Sequence, residues 1–388
     1  MSQPSSSSSA DIQDTKLPRR DWVILPLIAL TTIALMAGIC EFAGRIVWPE
    51  QDDTCFIADT KGVHYQANCR SRVKIAEGPW IENAYNNCGY RSQEPCGPKP
   101  LDSIRIAVLG SSSSYGYGVL YKSIYTTLAS EKLNRECNRH VEFQNLGVMA
   151  SPLKDTFLRT DEALALKPDL LLLVLDPFDV VRFNEFNPNT TEAVGANQAK
   201  KDGPDWLHAA VINPLKNSRS ATILEHFMYQ NPATYENLYL LSGDTADYLR
   251  VPFSPLWQRR FTNLDAMLRS MMAKTQPTNV PLVVLLTPMV MQGALMNTPP
   301  RAGIDPAAFN REVTRIASKY DIRVIDPLNG FAGQFDVMNL FYVVNGHLSA
   351  EGQPIIAEYV NEALLSGKYA AFGGCRKEES SSIAGLVR

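Results

Sequence analysis

Ile104-Arg-Ile-Ala-Val-Leu109 runs directly into Gly110-Ser-Ser-Ser-Ser-Tyr-Gly-Tyr-Gly118, and this junction decides the reading of the chain. A short β-branched run that empties into a Gly/Ser turn, with a helical pattern after it, is a strand ending beside a helix N-terminus. Such a turn holds a serine oxygen at the carboxyl edge of a sheet, next to main-chain N–H groups. Near the other end, Asn345-Gly-His-Leu-Ser-Ala-Glu-Gly352 puts a histidine just before an amphipathic segment, Pro354 to Leu365. Serine early and histidine late is a hydrolase order.

Between these two points the pattern alternates. Strands are expected at Ile104 to Leu109, Val141 to Leu146, Asp169 to Leu175, Val280 to Thr287 and Arg323 to Ile325. Helices are expected near Lys122 to Asn134, Asp155 to Leu166, Leu256 to Lys274 and Pro306 to Tyr320. Near-continuous apolar strands separated by helices predict an α/β fold, a three-layer α/β/α sandwich with a mostly parallel sheet. Its ligand chemistry collects outside the carboxyl ends of the strands, where Ser112, the Gly147 loop and Asp176 emerge. Residues 183–255 interrupt the alternation with Asn, Pro and aromatic residues and read as an insertion that shapes the site.

The amino-terminal part has a different character. Residues 1–21 carry the serine run Ser5 to Ser9 and read as a disordered tail. Trp22 to Cys40 then contains no charged side chain, enough for a helix to span hydrocarbon, so 22–44 is expected to be an uncleaved membrane anchor. A cleaved signal peptide fits less well, because its apolar region is shorter and ends in a small-residue pattern that is poorly formed here. Ile39 is too bulky for the cleavage that lipidation of Cys40 would need. Lys16, Arg19 and Arg20 precede the span and only Arg45 follows closely, which predicts a cytoplasmic amino terminus and a main domain in the periplasm or outside the cell.

The cysteines agree with that address. Beyond Cys40 there are six, at 55, 69, 88, 96, 137 and 375. An even number suits pairing in an oxidising compartment, and fifteen connectivities exist. Closeness suggests Cys55 with Cys69 and Cys88 with Cys96, and elimination leaves Cys137 with Cys375; free buried cysteines are the alternative. No Cys/His spacing points to zinc, and no cofactor motif stands out. The expected organisation is a tail (1–21), an anchor (22–44), an irregular cysteine-containing linker (45–100), an α/β domain (101–370) and a disordered tail (371–388). A net charge of −3 without long basic runs excludes a nucleic-acid-binding footprint.

Several blocks together resemble the SGNH/GDSL hydrolase family over residues 84–366. Asn86-Asn-Cys-Gly-Tyr-Arg91 is similar to the lead-in Asn-x-x-Gly-Phe-Arg of many secreted members. Gly110-Ser-Ser-Ser-Ser-Tyr-Gly-Tyr-Gly118 is similar to Gly-Asp-Ser-x-Thr-x-Gly-x-Gly, and Asn145-Leu-Gly-Val-Met-Ala150 to Asn-x-Gly-x-x-Gly. The resemblance implies Ser112 as nucleophile, His347 as general base, and the Ser112 and Ala150 amides as oxyanion donors. Ser111 occupies the usual aspartate position, and Ser111, Ser113 and Ser114 are expected to act as caps.

The chain also departs from the family. Asp176-Pro-Phe-Asp179 stands where Gly-x-Asn-Asp is usual, leaving Asn184 as a candidate third oxyanion donor. The acid expected at 344 or 345 is missing. Asn345 can hold the imidazole by a hydrogen bond but cannot stabilise its positive charge. A carboxylate from Asp336, Asp326 or Asp179, or a dyad supported by a main-chain carbonyl, are the alternatives.

The resemblance implies an anchored esterase or acyltransferase acting on ester groups, such as O-acetyl, of envelope carbohydrate, lipid or a small molecule. The competing expectation is an inactive carbohydrate-binding or envelope-assembly protein of the same fold.

Overall fold

The computed structural model describes residues 20–59, 62–189 and 218–375. The expected tails lie largely outside these residues, as does part of the insertion. Helix α1, Asp21–Val47, is long and apolar enough to cross a membrane. Two antiparallel hairpins follow: β1 (Phe56–Asp59) with β2 (Gly62–Tyr65), and β3 (Arg70–Lys74) with β4 (Trp80–Ala84). The expectation of an irregular linker is therefore corrected. Both β3 and β4 bury every second residue, but at five residues each they are too short for that alternation to stand out in sequence.

The main sheet begins at β5, Ile104–Leu109, all six residues buried. After it come α2 (Ser112–Tyr115), α3 (Tyr125–Cys137), β6 (Val141–Asn145), α4 (Leu153–Leu158), α5 (Thr160–Ala165) and β7 (Leu170–Leu175). The single helix expected around Asp155 to Leu166 is thus two, separated at Arg159, whose ψ of 0° leaves the helical range. Then follow α6 (Pro177–Val181), α7 (Arg219–Tyr229), α8 (Pro232–Tyr239), α9 (Pro255–Thr275), β8 (Leu282–Leu286), α10 (Val290–Leu295), α11 (Ala308–Ser318), β9 (Arg323–Ile325) and α12 (Gln353–Leu364). Within the insertion, Arg219–Tyr229 and Pro232–Tyr239 are therefore helical, while 183–189 are not.

All five strands run parallel in the order β6-β5-β7-β8-β9. From β5 the chain steps one way to β6, and every later step goes the other way. Right-handed crossovers in opposite directions place their helices on opposite faces. α3 packs with α12, while α9 packs with α5 and α11. The expected α/β/α sandwich is what the chain forms, and the strand order reverses between β5 and β7, where such sheets open a crevice.

The three expected disulfides are present: Cys55–Cys69, Cys88–Cys96 and Cys137–Cys375. The last ties the end of α3 to the segment after α12 across 238 residues of chain. Arg105 and Glu142 face each other on β5 and β6 as an ion pair whose side chains are 1% and 2% exposed. The Arg105 guanidinium also donates to the Gly97 and Leu166 carbonyls, each at 2.8 Å. These bonds offset the cost of removing the charge from water.

Candidate active site

The serine turn is shaped by close approach. A Cβ on Gly110, whose φ is +152°, would lie 2.8 Å from the Val174 carbonyl oxygen of β7. One on Gly147 would lie 2.2 Å from Ser114 Oγ. Only glycine lets these loops meet. Asn145 ties them together, donating to the Ser114 carbonyl at 2.8 Å and accepting from Gly147 N–H at 3.0 Å.

The lead-in segment braces the same turn from outside the sheet. Asn86 Oδ1 accepts from the N–H groups of Cys88 and Tyr90, each at 3.0 Å. This delivers Arg91, 1% exposed, to the end of α2. Its guanidinium donates to the carbonyls of Tyr115 and Gly116 at 2.8 Å and of Val119 at 2.6 Å. Carbonyls left without partners at a helix end are satisfied by this one cation.

Ser112 starts α2, and its Oγ lies 2.6 Å from His347 Nε2 across 235 residues of sequence. Asn345 Oδ1 is hydrogen-bonded to His347 Nδ1. A carboxamide oxygen only accepts, so Nδ1 carries the proton and Nε2 is free to accept from the serine hydroxyl. Tyr117 packs edge-on against the imidazole, ring centres 5.3 Å apart. Burial lowers the His347 pKa, while the Asp176 carboxylate and a hydrogen bond that the ring donates to the Asn345 main chain oppose that shift.

The neighbouring serines do not cap α2. Ser111 has no side-chain capping bond, and Ser114 Oγ donates to the Ser111 carbonyl at 2.7 Å. Ser113 Oγ donates to Asp176, and the Ser111 hydroxyl is bonded to Asp179. Asp176, 2% exposed, is the N-cap of α6. It accepts from Asp179 N–H at 3.0 Å while Asp179 accepts from Asp176 N–H at 3.1 Å. Burial, and then the Asp176 charge, push the Asp179 carboxyl well above the usual carboxylate range. Two carboxyls this close do not both ionise readily.

Among the described residues, a cleft of about 960 Å³ opens on one side of the Ser112–His347 pair. It is lined by Ala150, Asp179 and Asn345, by the aromatic Tyr117, Phe178 and Phe186, and by the cationic Lys154 and Arg182. On the other side, toward Met289 and Gln353, the free space is about 10 Å³. Ala150 holds a φ of +58°, a left-handed conformation in the place where the resembled family has glycine. Among the described residues no acceptor meets the N–H of Ser112 or of Ala150.

Asn184 also lines the cleft, but its Oδ1 accepts from Arg260 Nε at 3.1 Å, and Arg260 is held by Asp244. No hydrogen bond joins it to Ser112 among the described residues. Asp326 is engaged by Asn310 at 2.7 Å and by Leu328 N–H at 3.1 Å, and Asp336 by Asn339.

Sequence reasoning missed Glu77, whose side chain is 3% exposed. It accepts from the N–H groups of Val344 and Asn345 at 3.0 and 2.9 Å. Nothing in Ile75-Ala-Glu-Gly-Pro79 announces a link to residue 345. The pairing depends on where the second hairpin lands.

No protein-family model matches the sequence, and no curated protein matches it. Solved structures similar to it include an esterase, a lipase/acylhydrolase and a lipolytic protein. A psychrotrophic esterase from Pseudoalteromonas, inhibited by monoethylphosphonate, is 15% identical, with 68% of this chain and 97% of that one covered at a TM-score of 0.35. A lipase/acylhydrolase from Enterococcus faecalis is 11% identical, covering 68% and 96% at 0.38. A member of the lipolytic G-D-S-L family from Veillonella parvula is 13% identical, covering 67% and 97% at 0.35.

Proposed function

We propose that the chain is a serine esterase or acyltransferase in which Ser112 is the nucleophile and His347 the general base. The 2.6 Å approach of Ser112 Oγ to His347 Nε2 carries this reading. Ser112 Oγ attacks an ester carbonyl as its proton passes to Nε2. The tetrahedral oxyanion takes hydrogen bonds from the Ser112 and Ala150 N–H groups. The C–O bond to the alcohol then breaks, His347 protonates the departing alkoxide, and Ser112 remains acylated. Water, or a second alcohol in a transferase, attacks the acyl-enzyme with His347 again accepting the proton.

Asn345 fixes the tautomer but adds no charge. The negative charge that supports the imidazolium comes from Asp176, acting through space. Asn184 lines the cleft with its Oδ1 held by Arg260 Nε, which leaves its amide N–H as a candidate third donor to the oxyanion.

A cleft of about 960 Å³ suits a substrate of several rings, and its mixture of aromatic faces and cations favours an acylated carbohydrate. The apolar α1 helix and three disulfides support a membrane-anchored enzyme acting outside the cytoplasm. Its amino terminus would then lie inside. Residues 101–370 would form the hydrolase unit.

A fluorophosphonate probe tests the chemistry. The full chain in detergent becomes covalently labelled, and Ser112→Ala and His347→Ala lose the label. A folded wild-type chain that takes no label belongs to the noncatalytic reading, which the uncharged Asn345 on the imidazole favours.

A further inference from the structure

The carboxylate of Glu77 joins three partners that are remote from it in sequence. Its oxygens accept from Val344 N–H and Asn345 N–H, and Oε1 accepts from His226 Nδ1 on α7 at 2.8 Å. His226 in turn meets Trp48 edge-on, ring centres 4.8 Å apart and planes at 76°. Trp48 is the residue that ends α1.

The end of α1 is fastened to α7 over the same stretch. Glu41 accepts from Ser218 Oγ at 2.7 Å and from Ser220 N–H at 3.1 Å. Gly44 approaches so closely that a Cβ there would lie 3.0 Å from Arg219 Cβ. Glu50, just past the helix, pairs with Arg219. A continuous set of contacts thus runs from α1 through Trp48, His226 and Glu77 to the main chain of residues 344–345. Asn345 there holds the His347 ring.

We propose that Glu77 is a positioning residue for the His347 loop, and that the docked end of α1 sets it through Trp48 and His226. The inference rests on the Ser112–His347 reading and deepens it. Gly346 has a φ of +87°, so the loop Val344 to His347 turns sharply on a residue with no side chain to fix it. Main-chain bonds from Gly346 N–H to the Tyr342 carbonyl and from Tyr342 N–H to the His347 carbonyl close the turn, and the Glu77 carboxylate on two successive N–H groups adds a charged anchor from outside it. Displacement of a reacting group by about 1 Å can cost on the order of 100-fold in rate.

The test measures hydrolysis of p-nitrophenyl acetate by the full chain in detergent, with melting temperature alongside. Glu77→Ala is expected to lower kcat about 10- to 100-fold with KM within about twofold. Glu77→Gln, which retains one acceptor oxygen, is expected to recover part of that loss. Trp48→Ala and His226→Ala are expected to lower kcat less, and to add nothing when combined with Glu77→Ala.

A Glu77→Ala enzyme with unchanged kcat overturns the proposal while Ser112 stands. So does a Glu77→Gln enzyme no faster than Glu77→Ala when both melt like wild type. Losses from Trp48→Ala that multiply with those of Glu77→Ala overturn the link to α1. If Ser112→Ala keeps the wild-type rate, the reading of Ser112 itself falls, and this inference with it.

Discussion

Asp176 accepts a hydrogen bond from Ser113, the residue directly after Ser112, and its charge opposes the burial that lowers the His347 pKa. In the mechanism proposed above, the end of β7, one strand away from the serine turn, brings a negative charge to bear on His347 where no acid stands beside it in sequence. Neutral His347 is the form that accepts the serine proton. The acid limb of a kcat/KM profile should therefore fall below the ordinary histidine value of about 6.5. In Asp176→Asn the opposing charge is gone, so the limb should move to still lower pH while the plateau drops about tenfold or more. A limb that moves upward would contradict the assignment.

Asn345 offers the reverse experiment. Its Oδ1 already sits on His347 Nδ1, so Asn345→Asp places a charge there with little change of shape. A carboxylate in this position stabilises the imidazolium that forms as Ser112 loses its proton. kcat toward a soluble ester should rise by about 10-fold or more, measured by steady-state hydrolysis.

Asp179 should register in stability. Its folded pKa is raised, by burial first and by Asp176 second. A raised carboxyl pKa means that the native state binds more protons than the unfolded chain. The stability it contributes is therefore lost as pH rises from the unfolded value toward the folded one. Asp179→Asn should be less destabilising, or more stabilising, at pH 8 than at pH 4, at about 1.4 kcal/mol for each pKa unit of the shift. Thermal melts of both proteins at the two pH values provide the comparison.

Ala150 carries a cost in its backbone. A non-glycine residue at φ +58° gives up roughly 1 kcal/mol to the contact between its Cβ and main chain. Ala150→Gly should raise stability by about 0.5–1 kcal/mol in a denaturant titration. The label rate of Ser112 should change little, because glycine keeps the main-chain N–H at this cleft-lining position.

The sheet was readable because its signals are local and long. Leu170 to Leu175 is an unbroken apolar run, and a run of that kind has few alternatives to a strand covered on both faces. Ser112 and His347 were readable because each lies in a short block at the end of such an element. What was hidden depends on contacts between distant segments. The second hairpin alternates correctly but over too few residues to register, and the first does not alternate. Glu77 and His226 look like surface residues until β4 and α7 bring them together. The exchange between Asp176 and Asp179 follows a capping spacing that sequence contains, yet their effect on Ser111, Ser113 and His347 exists only once β5 and β7 are side by side.

Arg91 has a bearing on how much chain is needed to make the site. It grips the carbonyls after Ser112 from a segment that precedes the first strand of the main sheet. Tyr65 in the first hairpin reaches the Gly147 loop, its hydroxyl accepting from Met149 N–H at 3.2 Å. A fragment excised at residue 101 would keep every strand of the layer and both reacting side chains, but not the clamps that set their spacing. The unit proposed for residues 101–370 thus draws on bonds from the segment that precedes it.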